Sequence, residues 1–144
     1  MYCNYYYYRM NGRFAISLHI LTLLDQSEGE WLTSDYLAGS ININPVLVRK
    51  EISNLRNHGL VISREGKNGG AMLAKPASRI SLSEVFQATR QGSFLGTAKN
   101  SPNPSCPVGK QINQHLDDLY SEVEDALVQK LGSNTLKDFS QKFS

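Results

Sequence analysis

The residues best equipped for chemistry in this 144-residue chain are basic, and they cluster. Asn44-Pro45 is followed at helical spacing by Arg49, Lys50, Ser53 and Asn57, and Arg64 and Lys67 flank a glycine-rich stretch just beyond. Arginine and lysine one turn into a helix have the reach and donor geometry for guanine O6 and N7 in a major groove. Ser53 and Asn57 continue that face as lesser candidates. A helix that opens on Asn44-Pro45 presents free N–H groups and the positive end of its dipole, which favour phosphate. Arg64 and Lys67 suit backbone phosphates or the minor groove. The chemistry on offer is therefore recognition of nucleic acid. Nothing points to catalysis: there is no nucleophile elbow, phosphate-binding loop or acid–base pair. His19, His58 and His115 fall on three separate elements, without metal-ligand spacing. Asp117, Asp118, Glu122, Glu124 and Asp125 read as the solvated side of a helix. No enzyme activity is expected.

Charge supports that reading when it is split along the chain. Residues 41–80 hold seven Lys or Arg against two Asp or Glu, a surplus of five, and the remainder holds eight against eleven, a deficit of three. The net +2 therefore hides a basic middle, the electrostatic footprint of a nucleic-acid binder. At 40% hydrophobic and 19% charged the composition is that of an ordinary globular chain, not a disordered one. No apolar run is long enough for a membrane span, and the start lacks a secretory pattern. Two cysteines, Cys3 and Cys106, build neither a disulfide framework nor a four-thiolate metal site within one chain. A cytoplasmic protein with no membrane partner is expected.

The elements that must position these residues can be read from periodicity and caps. Residues 1–9 carry five of the seven tyrosines and share no period with the next stretch of chain, so they read as a disordered arm or an artefact of the start. From Asn11 to Gln26 the stripe Phe14, Leu18, Leu21, Leu24, widened by Ala15, Ile16, Ile20 and Leu23, predicts a helix that is apolar on nearly every side. Trp31-Leu32 suits a short strand. Thr33, Ser34 and Asp35 offer N-caps for a helix through Ala38, ended by Gly39 and Ser40. Pro45 at a first helical position predicts a helix to about His58, stopped by Gly59, with Val48, Ile52 and Leu55 as its buried stripe. Residues 60–64 and 71–74 read as paired strands around the glycine-rich loop 65–70. Ser81-Leu82-Ser83-Glu84 is a capping box opening another helix. Residues 92–105 read as a loop. From about Cys106 to Leu131 a long helix carries Ile112, Leu116, Leu119, Val123, Ala126 and Lys130, stepping by four and three, with Leu127 thickening the row. That heptad seam, on a long helix after a flexible loop, favours a dimer interface over a purely internal face. Leu136, Phe139 and Phe143 fit a short final helix that docks back.

The order helix, short strand, helix, helix, strand, glycine-rich loop, strand is that of a winged helix-turn-helix. The expected fold is mainly α with a small β-wing, plus a long C-terminal dimerisation helix. Residues 10–91 would be the DNA-binding domain, 92–105 a sensor loop, 106–131 the dimerisation helix and 132–144 a short C-terminal helix or tail. Specific blocks then point further: Ser40-Ile41-Asn42-Ile43-Asn44-Pro45-Val46-Leu47-Val48-Arg49-Lys50, Leu55-Arg56-Asn57-His58-Gly59-Leu60-Val61, Gly66-Lys67-Asn68-Gly69-Gly70, Leu73-Ala74-Lys75-Pro76 and Ile80-Ser81-Leu82-Ser83-Glu84-Val85. In this order they resemble the Rrf2 family of bacterial transcription regulators over roughly residues 10–131. The resemblance implies a homodimer, usually a repressor, on double-stranded DNA with a pseudo-palindromic operator. It places base readout on Val46, Arg49, Lys50 and nearby Asn44, wing contacts on Arg64 and Lys67, and the dimer interface on the helix holding Ile112, Leu116, Leu119, Val123 and Leu127.

The best-known members of that family hold a [2Fe-2S] cluster on three cysteines around the start of the dimer helix. This chain has only Cys106 there, so no iron–sulfur cluster or other cofactor is expected. Cys106, at a helix N-terminus with Lys110 nearby, is a candidate thiol sensor, set against the plainer reading of an inert packed cysteine. Two alternatives complete the set. One is a regulator of the same fold gated by a small ligand bound between the wing domain and the dimer helix. The other is a winged-helix module for protein–protein contact.

Overall fold

The computed structural model describes residues 2–92 and 95–143, with side chains from residue 12 onward. Among the described residues six α-helices and a two-stranded hairpin are arranged with the second, third, fourth and sixth helices and the second strand packed against the first helix. Helix α1 (Tyr2–Gln26) starts nine residues earlier than the periodicity predicts. The tyrosine-rich stretch read as a loose arm continues it. No proline or glycine intervenes between Tyr2 and Met10, and once a helix is nucleated each added residue gains a backbone hydrogen bond. The following part of α1 is the centre of the core: Ile16, Leu18, Ile20, Leu21 and Leu24 are buried, as are the hydroxyls of Ser17 and Thr22.

Helix α2 (Ser34–Ile41) is capped by Thr33, whose side chain accepts from the Tyr36 N–H, and it runs three residues past the predicted stop. Gly39 is tolerated inside it, and the left-handed terminus is taken instead by Asn42 at φ 62°. Helix α3 (Pro45–Asn57) follows after a short turn and packs against α2 and α1. Its Val48, Ile52 and Leu55 are buried as expected.

Strands β1 (Val61–Arg64) and β2 (Gly70–Leu73) pair antiparallel, with Val61 opposite Leu73 and Arg64 opposite Gly70. The expected strand at Trp31-Leu32 is reduced to a single bridge from Leu32 to Ala71. Gly70 is the pinch point: at φ +150° its absent Cβ would stand 2.4 Å from the Leu32 carbonyl oxygen. Gly70→Ala is therefore expected to cost about 1–3 kcal/mol in stability, because the obstacle is backbone and cannot rotate away. Gly39→Ala meets nothing within 4 Å and, lying in a helix, is expected to be neutral or to stabilise by about 0.5–1 kcal/mol. Urea unfolding of the two variants beside wild type checks the contrast.

Helix α4 (Leu82–Thr89) opens on the predicted capping box, with Ser81 and Glu84 satisfying each other's backbone N–H groups. Burial alone would raise the Glu84 carboxyl. The hydrogen bonds from Lys75 and the Ser81 N–H, with the Lys75 charge, outweigh burial and hold it below the ordinary carboxylate value. Helix α5 (Pro107–Gly132) is 26 residues long, spans nearly the predicted range with Pro107 at its first position, and packs on α4. The Arg90–Glu124 ion pair joins the end of α4 to its flank. Helix α6 (Leu136–Ser140) docks back as predicted through Leu136, which is fully buried, although Phe143 beyond it stays exposed. The architecture is a mainly helical winged helix-turn-helix with a long C-terminal helix, and no helix among the described residues is long and apolar enough to cross a membrane.

Candidate nucleic-acid interface

Helix α3 is held from three sides, which fixes what it can present outward. Asn44 caps it, its Oδ1 accepting from the Val46 N–H at 2.9 Å. Toward α1, Glu51 is buried and accepts from Arg13 Nε at 2.9 Å and from the Ser17 hydroxyl at 3.3 Å. Toward α4, Asn54 Nδ2 donates to the Ala88 carbonyl at 2.8 Å. Toward the hairpin, Arg56 Nη1 donates to Ser63 Oγ at 2.9 Å. Glu51 is buried and Arg13 only partly so, and this ion pair together with the Asn54 and Arg56 bonds ties α3 to its neighbours on three sides.

With α3 held in this way, Val46, Leu47, Arg49, Lys50, Arg56 and Asn57 are exposed, while Val48, Glu51, Ile52 and Leu55 face inward. Val46 is 59% exposed, an apolar side chain at the open end of a helix that otherwise displays cations and amides. Of the predicted contact residues, Val46, Arg49, Lys50 and Asn57 thus share one accessible face. Asn44 is exposed too, but its oxygen is committed to the cap. Ser53 is half-buried, with its hydroxyl turned to Arg56 at 3.5 Å. Sequence reasoning gave Glu51 and Arg56 no positioning role.

The wing follows directly. Lys67 is exposed in the loop between the strands. Arg64, at the end of β1, lies with Cζ 4.5 Å above the Trp31 ring, and its Nη2 donates to the Asn68 carbonyl at 2.7 Å. Helix α3 and the hairpin therefore supply cationic groups on adjoining elements, α3 running into β1 through only His58, Gly59 and Leu60.

The second predicted feature is the seam on α5. None of its residues is buried within the chain. Ile112, Leu116, Val123 and Leu127 are half-buried, Leu119 is 49% exposed and Val108 is 67% exposed. At 100° per residue Val108, Ile112 and Leu119 fall on one side, whereas Leu116, Val123 and Leu127 turn roughly 60° away from it. Cys106 is the N-cap residue of α5, exposed, and makes no side-chain capping bond. A polar cavity of about 430 Å³ lies between the C-terminal end of α1 and α6, lined by Asp25, Gln26, Glu28, Lys137 and Ser140 among others; none of its lining residues belongs to the wing or to α5.

Comparison with known proteins agrees with this geometry. Residues 10–142 match the family described as Rrf2, iron-dependent transcriptional regulator. YwnA of Bacillus subtilis (strain 168), a candidate HTH-type transcriptional regulator, is 40% identical over 129 residues, covering 90% of this chain and 95% of its own. A crystal structure of a candidate DNA-binding protein superposes with a TM-score of 0.71 at 38% identity, over 88% of this chain and 97% of that one. A candidate transcriptional regulator from Lactobacillus plantarum gives a TM-score of 0.77 at 25% identity, over 93% and 91%.

The iron in the family description can be tested against the residues present. An iron–sulfur cluster takes about four protein ligands. His115, the histidine nearest Cys106 in sequence, is about 13 Å away along the α5 axis at 1.5 Å per residue. Among the described residues no group of three or more His, Cys, Asp or Glu comes together to hold an ion. Those residues do not fit such a cluster.

Proposed function

The chain belongs to the Rrf2 family of DNA-binding transcriptional regulators, and from that premise we propose that it acts as a homodimeric repressor on a pseudo-palindromic operator, switched at Cys106. The observation that carries the reading is the outward face of α3. Its rotation is fixed by Glu51, Asn54 and Arg56, so Val46, Arg49 and Lys50 are offered together. In a major groove Arg49 and Lys50 meet guanine O6 and N7, and Val46 meets a thymine methyl. Asn57 and Ser53 lie further along the helix toward the backbone, and the N-terminus capped by Asn44 faces phosphate. Arg64 and Lys67 carry the wing onto the adjacent backbone or minor groove.

Two such helices must be set about 34–36 Å apart to enter successive grooves. The apolar row of α5, none of it buried within the chain, supports pairing through Ile112, Leu116, Leu119, Val123 and Leu127. Cys106 sits at the head of that same helix and is open to solvent. Hydrogen peroxide that oxidises its thiol to the sulfenic acid, one peroxide oxygen passing to sulfur and the other leaving as water, adds bulk and polarity where the loop enters the dimer helix, and a small shift there changes the spacing of the two recognition helices.

The test is a binding titration on duplex from the chain's own upstream region, with fully reduced protein, peroxide-treated protein and Cys106→Ser. The expected result is tight binding when reduced, loss on oxidation, and binding by Cys106→Ser that oxidant leaves unchanged. Equal affinity in all three states removes the thiol switch and directs the search to a small-ligand effector.

A further inference from the structure

Trp31 is the chain's single tryptophan, and it stands outside both the recognition helix and the hairpin. It is nevertheless fixed against the wing. The next residue, Leu32, exchanges a pair of backbone hydrogen bonds with Ala71 of β2, at 3.1 and 2.8 Å. Gly70, the residue opposite Arg64 in the hairpin register, leaves room for the Leu32 backbone at that place. The indole is half-buried and the Arg64 guanidinium lies over it at 4.5 Å, while the Asn68 carbonyl takes one of the guanidinium's N–H groups at 2.7 Å.

We propose that Trp31 is a positioning residue for DNA binding: the indole and the Asn68 carbonyl hold the Arg64 guanidinium in the place from which its remaining donors meet the DNA backbone or minor-groove edge. The proposal rests on the reading that the wing contacts DNA. An arginine free to rotate at a hairpin surrenders side-chain entropy on meeting a phosphate, and one already stacked and hydrogen-bonded surrenders less. The flat, weakly hydrated guanidinium can lie on an indole and still offer its edge, which an ammonium cannot do. The segment between α1 and α2 thereby acts on the wing, and its contribution to affinity comes through a residue that itself touches no DNA.

The experiment compares wild type, Trp31→Ala, Trp31→Phe, Arg64→Ala and the Trp31→Ala/Arg64→Ala double variant. The probe is the duplex that wild type selects from a random-sequence pool, titrated at several salt concentrations, with circular dichroism to follow the fold. Arg64→Ala is expected to bind about 5- to 10-fold more weakly and to shallow the logarithmic salt slope by about one. Trp31→Ala is expected to lose about 2- to 5-fold, the range of an exposed cation–π contact. Trp31→Phe, which keeps an aromatic face, stays closer to wild type. The double variant is no weaker than Arg64→Ala. Wild-type affinity for Trp31→Ala beside a weakened Arg64→Ala overturns the proposal, and so do losses that multiply in the double variant. Should Trp31→Ala lower the helical content, Arg64→Lys decides, since it keeps the charge without the flat face: it is expected to lose about as much as the stack supplies, and wild-type affinity for it overturns the proposal. An Arg64→Ala variant that binds like wild type removes the wing contact itself and the proposal with it, an outcome distinct from the others.

Discussion

Leu119→Asp is expected to leave the chain monomeric and to weaken its operator binding about 30- to 3,000-fold. Leu119 is half exposed within one chain, so the substitution spares the protomer's own core. In a symmetric pair it places two carboxylates in one apolar seam, where unpaired charge is strongly disfavoured. The magnitude comes from what a monomer keeps. Specific binding by such proteins exceeds their non-specific binding by roughly 10³–10⁷, and a lone recognition helix retains about half of that free energy. Light scattering reads the oligomeric state and a titration reads the affinity. Leu119→Met, of nearly the same volume, should remain dimeric and bind normally. A dimeric Leu119→Asp that binds with full affinity would place the interface elsewhere on the molecule.

Arg49→Ala is expected to lose roughly 5- to 150-fold in affinity for the selected sequence, the equivalent of about 1–3 kcal/mol for a bidentate base contact. Its affinity for scrambled duplex should fall much less, because a base contact carries sequence information and a phosphate contact does not. Lys50→Ala gives a smaller loss, since an ammonium meets guanine as a point charge without the planar fork. Arg56→Ala is the useful contrast. Arg56 lies on the same helix, but its guanidinium is engaged with Ser63 and Ser53. Its removal should loosen the junction of α3 and β1 and leave the discrimination between sequences largely intact.

Most of the scaffold was legible because its signals are local. Asn44-Pro45 and the Ser81–Glu84 capping box each start a helix by satisfying or sparing its first N–H groups, and each helix starts there. The wing was legible from its glycines, although the reason Gly70 must be glycine, the Leu32 backbone beside it, is a contact across 38 residues of chain. What escaped was non-local. Glu51 follows Val48 by three residues and precedes Leu55 by four, so its spacing places it on the inward stripe. A carboxylate on that stripe is tolerable only with partners, here the guanidinium of Arg13 and the hydroxyl of Ser17 on α1, which its own spacing does not reveal. The same holds for Arg64. Its position on the wing could be read from the hairpin pattern, but its bed on Trp31 depends on how the segment before α2 folds against β2. On α5 the step of four and three identified the apolar row, while its packing on α4 is a tertiary contact that spacing alone does not show.

The most direct test of the central claim is selection of bound duplexes from a random-sequence pool by the reduced, full-length chain. The expected product is one enriched inverted repeat whose half-site centres lie about one helical turn, 10–10.5 base pairs, or a multiple of that, apart. Such a motif would report the recognition helices and their dimer spacing together. A pool that shows no enrichment, with binding that is indifferent to sequence, would contradict the claim that α3 and the wing of this chain read an operator.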